Sequence, residues 1–260
     1  MTENKNKPTD PAKRELKLDA LRMQIRDVVK SFAEKLIAEL GENLQSITVV
    51  GSSLTEDFKP GQSDINTVLV LGRQTLRLLK SITPLAKTMR KKRISPPLLM
   101  TPSYIERSRD VFGVEFLDFQ LTHRTVLGDD PFASLTFNKK DVRLQCEREL
   151  KATLIRLRQG YIAAAANKKL VRDILISTTK GLLPLLRAML WLKDIDRVAG
   201  AEPTTSKATR EFLIDTASLK TTVKWQHQKA RLNELDMENV FESIYATVEQ
   251  LALIVDKLEV

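Results

Sequence analysis

Leu21, Ile25, Val28, Phe32, Leu36 and Leu40 recur at spacings of three and four, the period of one face of an α-helix. They predict a helix from about Lys13 to Leu40, closed by Gly41 where a C-cap glycine belongs. The pattern then changes. Ile47, Val49 and Val50 form a short β-branched run ended by Gly51, and residues 65–71 (INTVLVL) form a second, nearly continuous apolar run. Such runs suit strands covered on both faces. Residues 73–92 return to helical spacing on Leu76, Leu79, Ile82, Leu85 and Met89, despite Pro84. A third strand fits residues 97–101 (PLLMT), a short helix fits 103–112 (SYIERSRDVF), and a fourth strand fits 114–121 (VEFLDFQL). Strands alternating with helical segments imply an α/β (α+β) sheet.

After residues 127–132 (LGDDPF) the strand pattern stops. Leu150, Leu154, Leu157 and Tyr161 predict a helix over 140–166. Residues 168–198 predict a second long helix, kinked or broken near Gly181 and Pro184. Residues 200–206 (GAEPTTS) read as a loop, with a shorter helix after it to about Leu219. Val240, Ile244, Val248, Leu251, Val255 and Leu258 predict the last helix. The expected organisation is a disordered lead-in over 1–13, a mixed-sheet domain over 14–135 and an all-helical bundle over 136–260.

Composition adds bounds. With 260 residues, 42% hydrophobic and 29% charged, the chain reads as a soluble globular protein. Its one cysteine, Cys146, excludes a disulfide within the chain and fits a reducing compartment. The polar N-terminus has no apolar leader, and no uninterrupted apolar run reaches the ~18–20 residues of a membrane span. The expectation is a cytoplasmic protein without a membrane partner; the sequence does not give its oligomeric state. The net charge of +9 favours anionic partners. Lys87, Arg90, Lys91, Lys92 and Arg93 are able to grip phosphates, but without interleaved aromatics a solvated helix end is the plainer reading. His123 and His227 lack metal-ligand spacing with Cys146, and His123-Arg124 reads as a surface turn. Asp129-Asp130-Pro131 reads as a turn, Trp191 and Trp225 as packing residues.

The chemistry sits between the first two strands. Val50-Gly51-Ser52 is followed by an eleven-residue loop, Ser53 to Ser63, and then Asp64-Ile65-Asn66. A glycine at a strand end lets backbone N–H groups approach a phosphate, and hydroxyls add donors. Gly51, Ser52 and Ser53 are therefore candidate phosphate-binding residues. Positions 64 and 66 share one face of the next strand, where carboxylates can hold Mg²⁺ ions that bridge nucleotide phosphates.

This stretch resembles the nucleotidyltransferase-fold superfamily, which includes DNA polymerase beta, kanamycin nucleotidyltransferase and the minimal nucleotidyltransferases. The signature there is Gly-Ser or Gly-Gly, a loop, then acidic–apolar–acidic, with a third acid on a later strand. Glu115 in GVEFLDF best resembles that third acid. The resemblance implies Mg²⁺ at Asp64, Asn66 and Glu115, and ATP or another nucleotide at Gly51, Ser52 and Ser53. The helical half resembles the second domain of the antibiotic nucleotidyltransferases, whose acid from that half acts as general base; Glu147 and Glu149 are the candidates here, with a solvated helix face the simpler reading. SDIN, VEFLDF, THRTVLGDDP and RLQCERELKATLIRLRQGY resemble a group of bacterial nucleotidyltransferase-domain proteins. The resemblance covers residues 20–165 well and the rest loosely.

Asn66 departs from the signature. An amide offers one neutral oxygen where a carboxylate offers charge, and hard cations depend on ligand charge. Glu56 and Asp57 in the loop are spare carboxylates; Asp118, three positions from Glu115, would face the other side of a strand. The sequence thus predicts an incomplete metal site and a pseudoenzyme that binds a nucleotide or partner with little or no catalysis. No residue is assigned as catalytic. The alternatives are an active Mg²⁺-dependent nucleotidyltransferase with a small hydroxylic or protein acceptor, and an interaction protein that keeps only the fold. A nucleotide is favoured over nucleic acid.

Overall fold

The computed structural model describes residues 15–226 and 234–260. The expected lead-in over 1–13 and His227 lie outside the described residues; the first helix, expected from about Lys13, begins only at Met23, after coil and turn over 15–22. The chain divides into two compact units. The first takes residues up to Leu54, Pro60–Glu106 and His123–Ala133; the second takes Thr55–Lys59, Arg107–Thr122 and Ser134–Val260.

The first unit opens with α1 (Met23–Leu40), which buries Ile25, Val29, Phe32, Ala33, Leu36 and Leu40 and ends at Gly41, whose N–H donates to the Ile37 carbonyl. Its sheet has β1 (Leu44–Val50), β2 (Asn66–Leu71), β3 (Leu98–Met100) and β4 (His123–Leu127), in the order β3-β2-β1-β4. β1 runs antiparallel to β2 and β4, and β2 parallel to β3. The continuous apolar runs of the sequence are the central strands: Ile47, Val49, Val68, Leu69 and Leu71 are fully buried. The predicted helix over 73–92 is two short ones, α2 (Leu76–Ile82) and α3 (Ala86–Lys92), separated by a 3-10 turn at Thr83–Leu85. Pro84 explains the split, because it cannot donate the hydrogen bond a continuous helix needs. A further short helix, α4 (Pro102–Arg107), follows β3.

Residues 114–121 are not a strand. They form α5 (Gly113–Leu121), in the second unit, and the fourth strand is the segment after it, so His123-Arg124 belongs to β4 and not to a turn. The alternation in VEFLDFQL also carries helical spacing, with Val114 and Leu117 buried together. A distant residue decides between the two: the first-turn N–H of Val114 donates to Oε1 of Gln145 at 3.0 Å, which satisfies a donor that a helix start leaves open.

The rest of the second unit is α6 (Lys139–Ala164), α7 (Lys168–Leu192), α8 (Ala201–Phe212), α9 (Ala217–Trp225) and α10 (Glu234–Asp256). α7 is central and contacts α5, α6, α8, α9 and α10. It continues through Gly181 and Pro184 without the expected break. α7 is long and apolar enough to cross a membrane by length and hydropathy, with half of its most apolar window buried in this core. Residues 201–206 are the start of α8 and not a loop. Pro203 falls in the first turn, where no N–H is required, and Asp57 Oδ2 accepts the Ala201 N–H at 2.7 Å. Asp57 thereby serves as a helix cap.

Candidate functional site

Strand register assembles one end of the sheet. Val50, the last residue of β1, pairs with Asn66 on β2 and with His123 on β4. The chain leaves β1 as a 3-10 turn, Gly51–Leu54. Gly51 has φ +79°, and a Cβ there would meet only Asn66 Nδ2, at 3.7 Å. The left-handed backbone, rather than lack of space, calls for glycine. Ser52 is exposed. Ser53 is fully buried and its Oγ has no hydrogen-bond partner.

Asp64 precedes β2, and its Oδ1 lies 3.1 Å from Arg93 Nη2. The same Arg93 nitrogen donates to the Gln62 carbonyl at 2.5 Å. The backbone explains the meeting. Arg93 ends α3 in the left-handed conformation, Ile65 N–H donates to the Arg93 carbonyl at 2.8 Å, and Ser95 N–H donates to the Ile65 carbonyl at 3.0 Å. Arg93 therefore leaves the solvated basic cluster and becomes the counter-ion of the motif's one carboxylate.

His123 stands on the other flank of Val50. Its Nε2 is 2.7 Å from Asp130 Oδ2, its ring is edge-on to Phe132, and its Nδ1 is buried without a partner. Asp130 Oδ1 accepts the N–H groups of Phe132 at 2.9 Å and Ala133 at 3.2 Å, so Asp130 closes the LGDDPF turn. Burial pushes its carboxyl up. The His123 hydrogen bond, those two donors and the imidazole charge outweigh that and hold it below the usual carboxylate value.

The remaining candidates lie in the second unit. Glu115 occupies the first turn of α5, where an acid suits the helix dipole, and accepts Gln145 Nε2–H at 2.7 Å. Asp118 is paired with the buried Arg187, which also donates from Nε to Thr204 Oγ1 at 3.2 Å. Arg197 donates to the Leu117 carbonyl; burial lowers its pKa, partly offset by Asp118. Glu147 lies 3.1 Å from Arg143 and 2.5 Å from Lys151, and Glu149 lies 3.5 Å from Arg156 and 3.6 Å from Arg148. Both are tied into helix-face ion pairs. Trp225 is buried. Trp191 packs partly on the core and lines a cavity of about 400 Å³ with Leu121, Asp194, Ile195, Asp196 and Arg197.

Asn66 is neutral, Asp64 is held by a guanidinium, and among the described residues no three His, Cys, Asp or Glu side chains group to hold a metal. The sequence signals Gly51, Ser52, Asp64 and Asn66 are brought to one sheet end. Arg93 and His123 join them there, although the sequence offered only a basic run and an isolated imidazole.

No family model matches the chain, and no curated protein does. Among solved structures, the crystal structure of spectinomycin adenyltransferase AAD(9) from Enterococcus faecialis with ATP and spectinomycin matches with a TM-score of 0.58 at 12% identity. The match covers 86% of this chain and 98% of that one. The likeness is one of fold. The chain has the nucleotidyltransferase fold, a mixed four-stranded sheet with helices followed by a helical region.

Proposed function

We propose that the Gly51–Leu54 turn binds the phosphates of a nucleotide such as ATP, or of a partner that presents them, with little or no metal-dependent transfer. The observation that carries this reading is the Asp64–Arg93 pair beside a neutral Asn66. Two-metal phosphoryl chemistry needs charged oxygens that bridge both ions. Here the one carboxylate faces a guanidinium, and the position two residues on supplies an amide. What remains suits anion binding: N–H groups at a left-handed glycine, the exposed Ser52 on the same turn and Arg93 nearby. The ATP in the neighbour's crystal structure supports a nucleotide as the ligand class. Any Mg²⁺ association rests on Asp64 and is weak.

Thermal melting of the natural protein and Asn66→Asp tests the reading. ATP should raise the Tm of the natural protein equally in EDTA and in Mg²⁺. The variant places two carboxylates on one strand face, and a like-charge pair ~4–6 Å apart costs about 1 kcal/mol at a partly solvated site. It should melt lower in EDTA and recover in Mg²⁺ by mass action. ATP-dependent Mg²⁺ stabilisation of the natural protein as large as the variant's would show that Asn66 is no defect.

A further inference from the structure

Residues 65–105 contain eight Lys and Arg and no Asp or Glu, in a chain whose net charge is +9. Six of the eight stand on α2 and α3: Arg77, Lys80, Lys87, Arg90, Lys91 and Lys92. All six are exposed, and none forms an ion pair among the described residues. Several cations elsewhere are matched, as in Lys139–Asp194, Arg143–Glu147 and Lys220–Glu202. Ile82, Leu85 and Met89 are buried, which turns the apolar side of the two helices inward and leaves the charges outside. β2 and β3 are parallel, so the segment between them must cross back along the sheet. The basic track therefore runs the length of the sheet and ends at Arg93, on Asp64, at the end that carries Gly51.

We propose that this α2–α3 crossover is a docking surface for the sugar-phosphate backbone of a nucleic acid strand. Eight like charges within one segment, without acids among them, cost self-repulsion that a linear polyanion relieves by releasing its own counterions. A membrane would need a broad apolar face on the same helices. α2 exposes only Leu76 and Leu79, and the exposed residues of α3 are charged. The inference stands on charge and topology and does not depend on whether the Gly51 turn binds a nucleotide.

The experiment is fluorescence anisotropy of labelled, mixed-sequence 20-nucleotide RNA and DNA single strands titrated with the full chain over a range of KCl. Saturable binding is expected, with a log–log salt slope of about −4 if six phosphates are neutralised. Lys91→Ala/Lys92→Ala should flatten the slope by about 1.4 and weaken binding at low salt at least tenfold. Lys140→Ala/Lys257→Ala, exposed positions in the second unit, should change neither. RNA and DNA binding alike supports a backbone surface, and a preference for one identifies which strand is read. Absence of saturable binding at 50 mM KCl, or a Lys91/Lys92 variant equal to the natural protein, overturns the proposal. So does capture by phosphatidylserine vesicles that needs Lys91 and Lys92 while neither oligonucleotide binds, because the face would then belong to a membrane.

Discussion

At the scale of single residues, burial separates the chemical roles. Cys146 is fully buried, and burial, with the charges of Glu115 and Glu149 adding to it, pushes its thiol up to about 12. At pH 8 only about one molecule in ten thousand carries the thiolate that reacts. Cys146 should resist iodoacetamide in the native protein and react on unfolding in guanidinium, as followed by mass spectrometry; rapid native labelling would contradict the burial. Asp130 behaves oppositely, since its carboxyl is held below its ordinary value by His123 and two backbone donors despite burial. A depressed carboxyl adds stability that is present above the unfolded value of ~3.9 and is lost as pH falls through the folded one. Asp130→Ala should cost about 1 kcal/mol near pH 6 in urea unfolding, and the gap from the natural protein should close below pH 4. A gap that does not change with pH would assign the effect to the turn alone.

At the scale of elements, two of the left-handed glycines of the first unit divide backbone strain from steric collision. Gly51 has φ +79° with open room, whereas Gly128 has φ +73° and a Cβ there would lie 2.0 Å from the Gln45 carbonyl oxygen on β1. Gly51→Ala should cost about 1–2 kcal/mol, the price of left-handed backbone for alanine, while Gly128→Ala should cost more than about 4 kcal/mol or prevent folding. Denaturant unfolding of both variants checks the order; equal costs would mean that β1 yields to the added methyl group. The same elements show how far the sequence could be read. Local periodicity located α1, β1, β2, α6 and α10, because each buries a face that its own spacing defines. It failed where a distant partner decides. α5 is a helix whose first turn is satisfied by Gln145, and α8 starts at Ala201 because Asp57 caps it across 144 positions of sequence. In the site, Gly51, Ser52, Asp64 and Asn66 were legible because they end neighbouring apolar runs. Arg93 and His123 were not, because a parallel crossover and the register of β4 carry them there.

At the scale of the whole molecule, the fold is nucleotidyltransferase-like, and charge is unevenly distributed over it. Asp64 is neutralised from within by Arg93, and position 66 is an amide. Positive charge gathers along residues 65–105, which hold eight cations and no acid. On the function proposed above, the turn would bind phosphates through backbone N–H groups and a guanidinium, with little gain from a divalent cation. The central claim is metal-independent recognition of a nucleotide at the Gly51 turn. Isothermal titration calorimetry of the full chain with ATP, once in EDTA and once in excess Mg²⁺, tests it most directly. The account predicts saturable binding at one site with dissociation constants that agree within about threefold, a difference of about 0.65 kcal/mol. Binding that appears only with Mg²⁺, or no binding in either buffer, would contradict it.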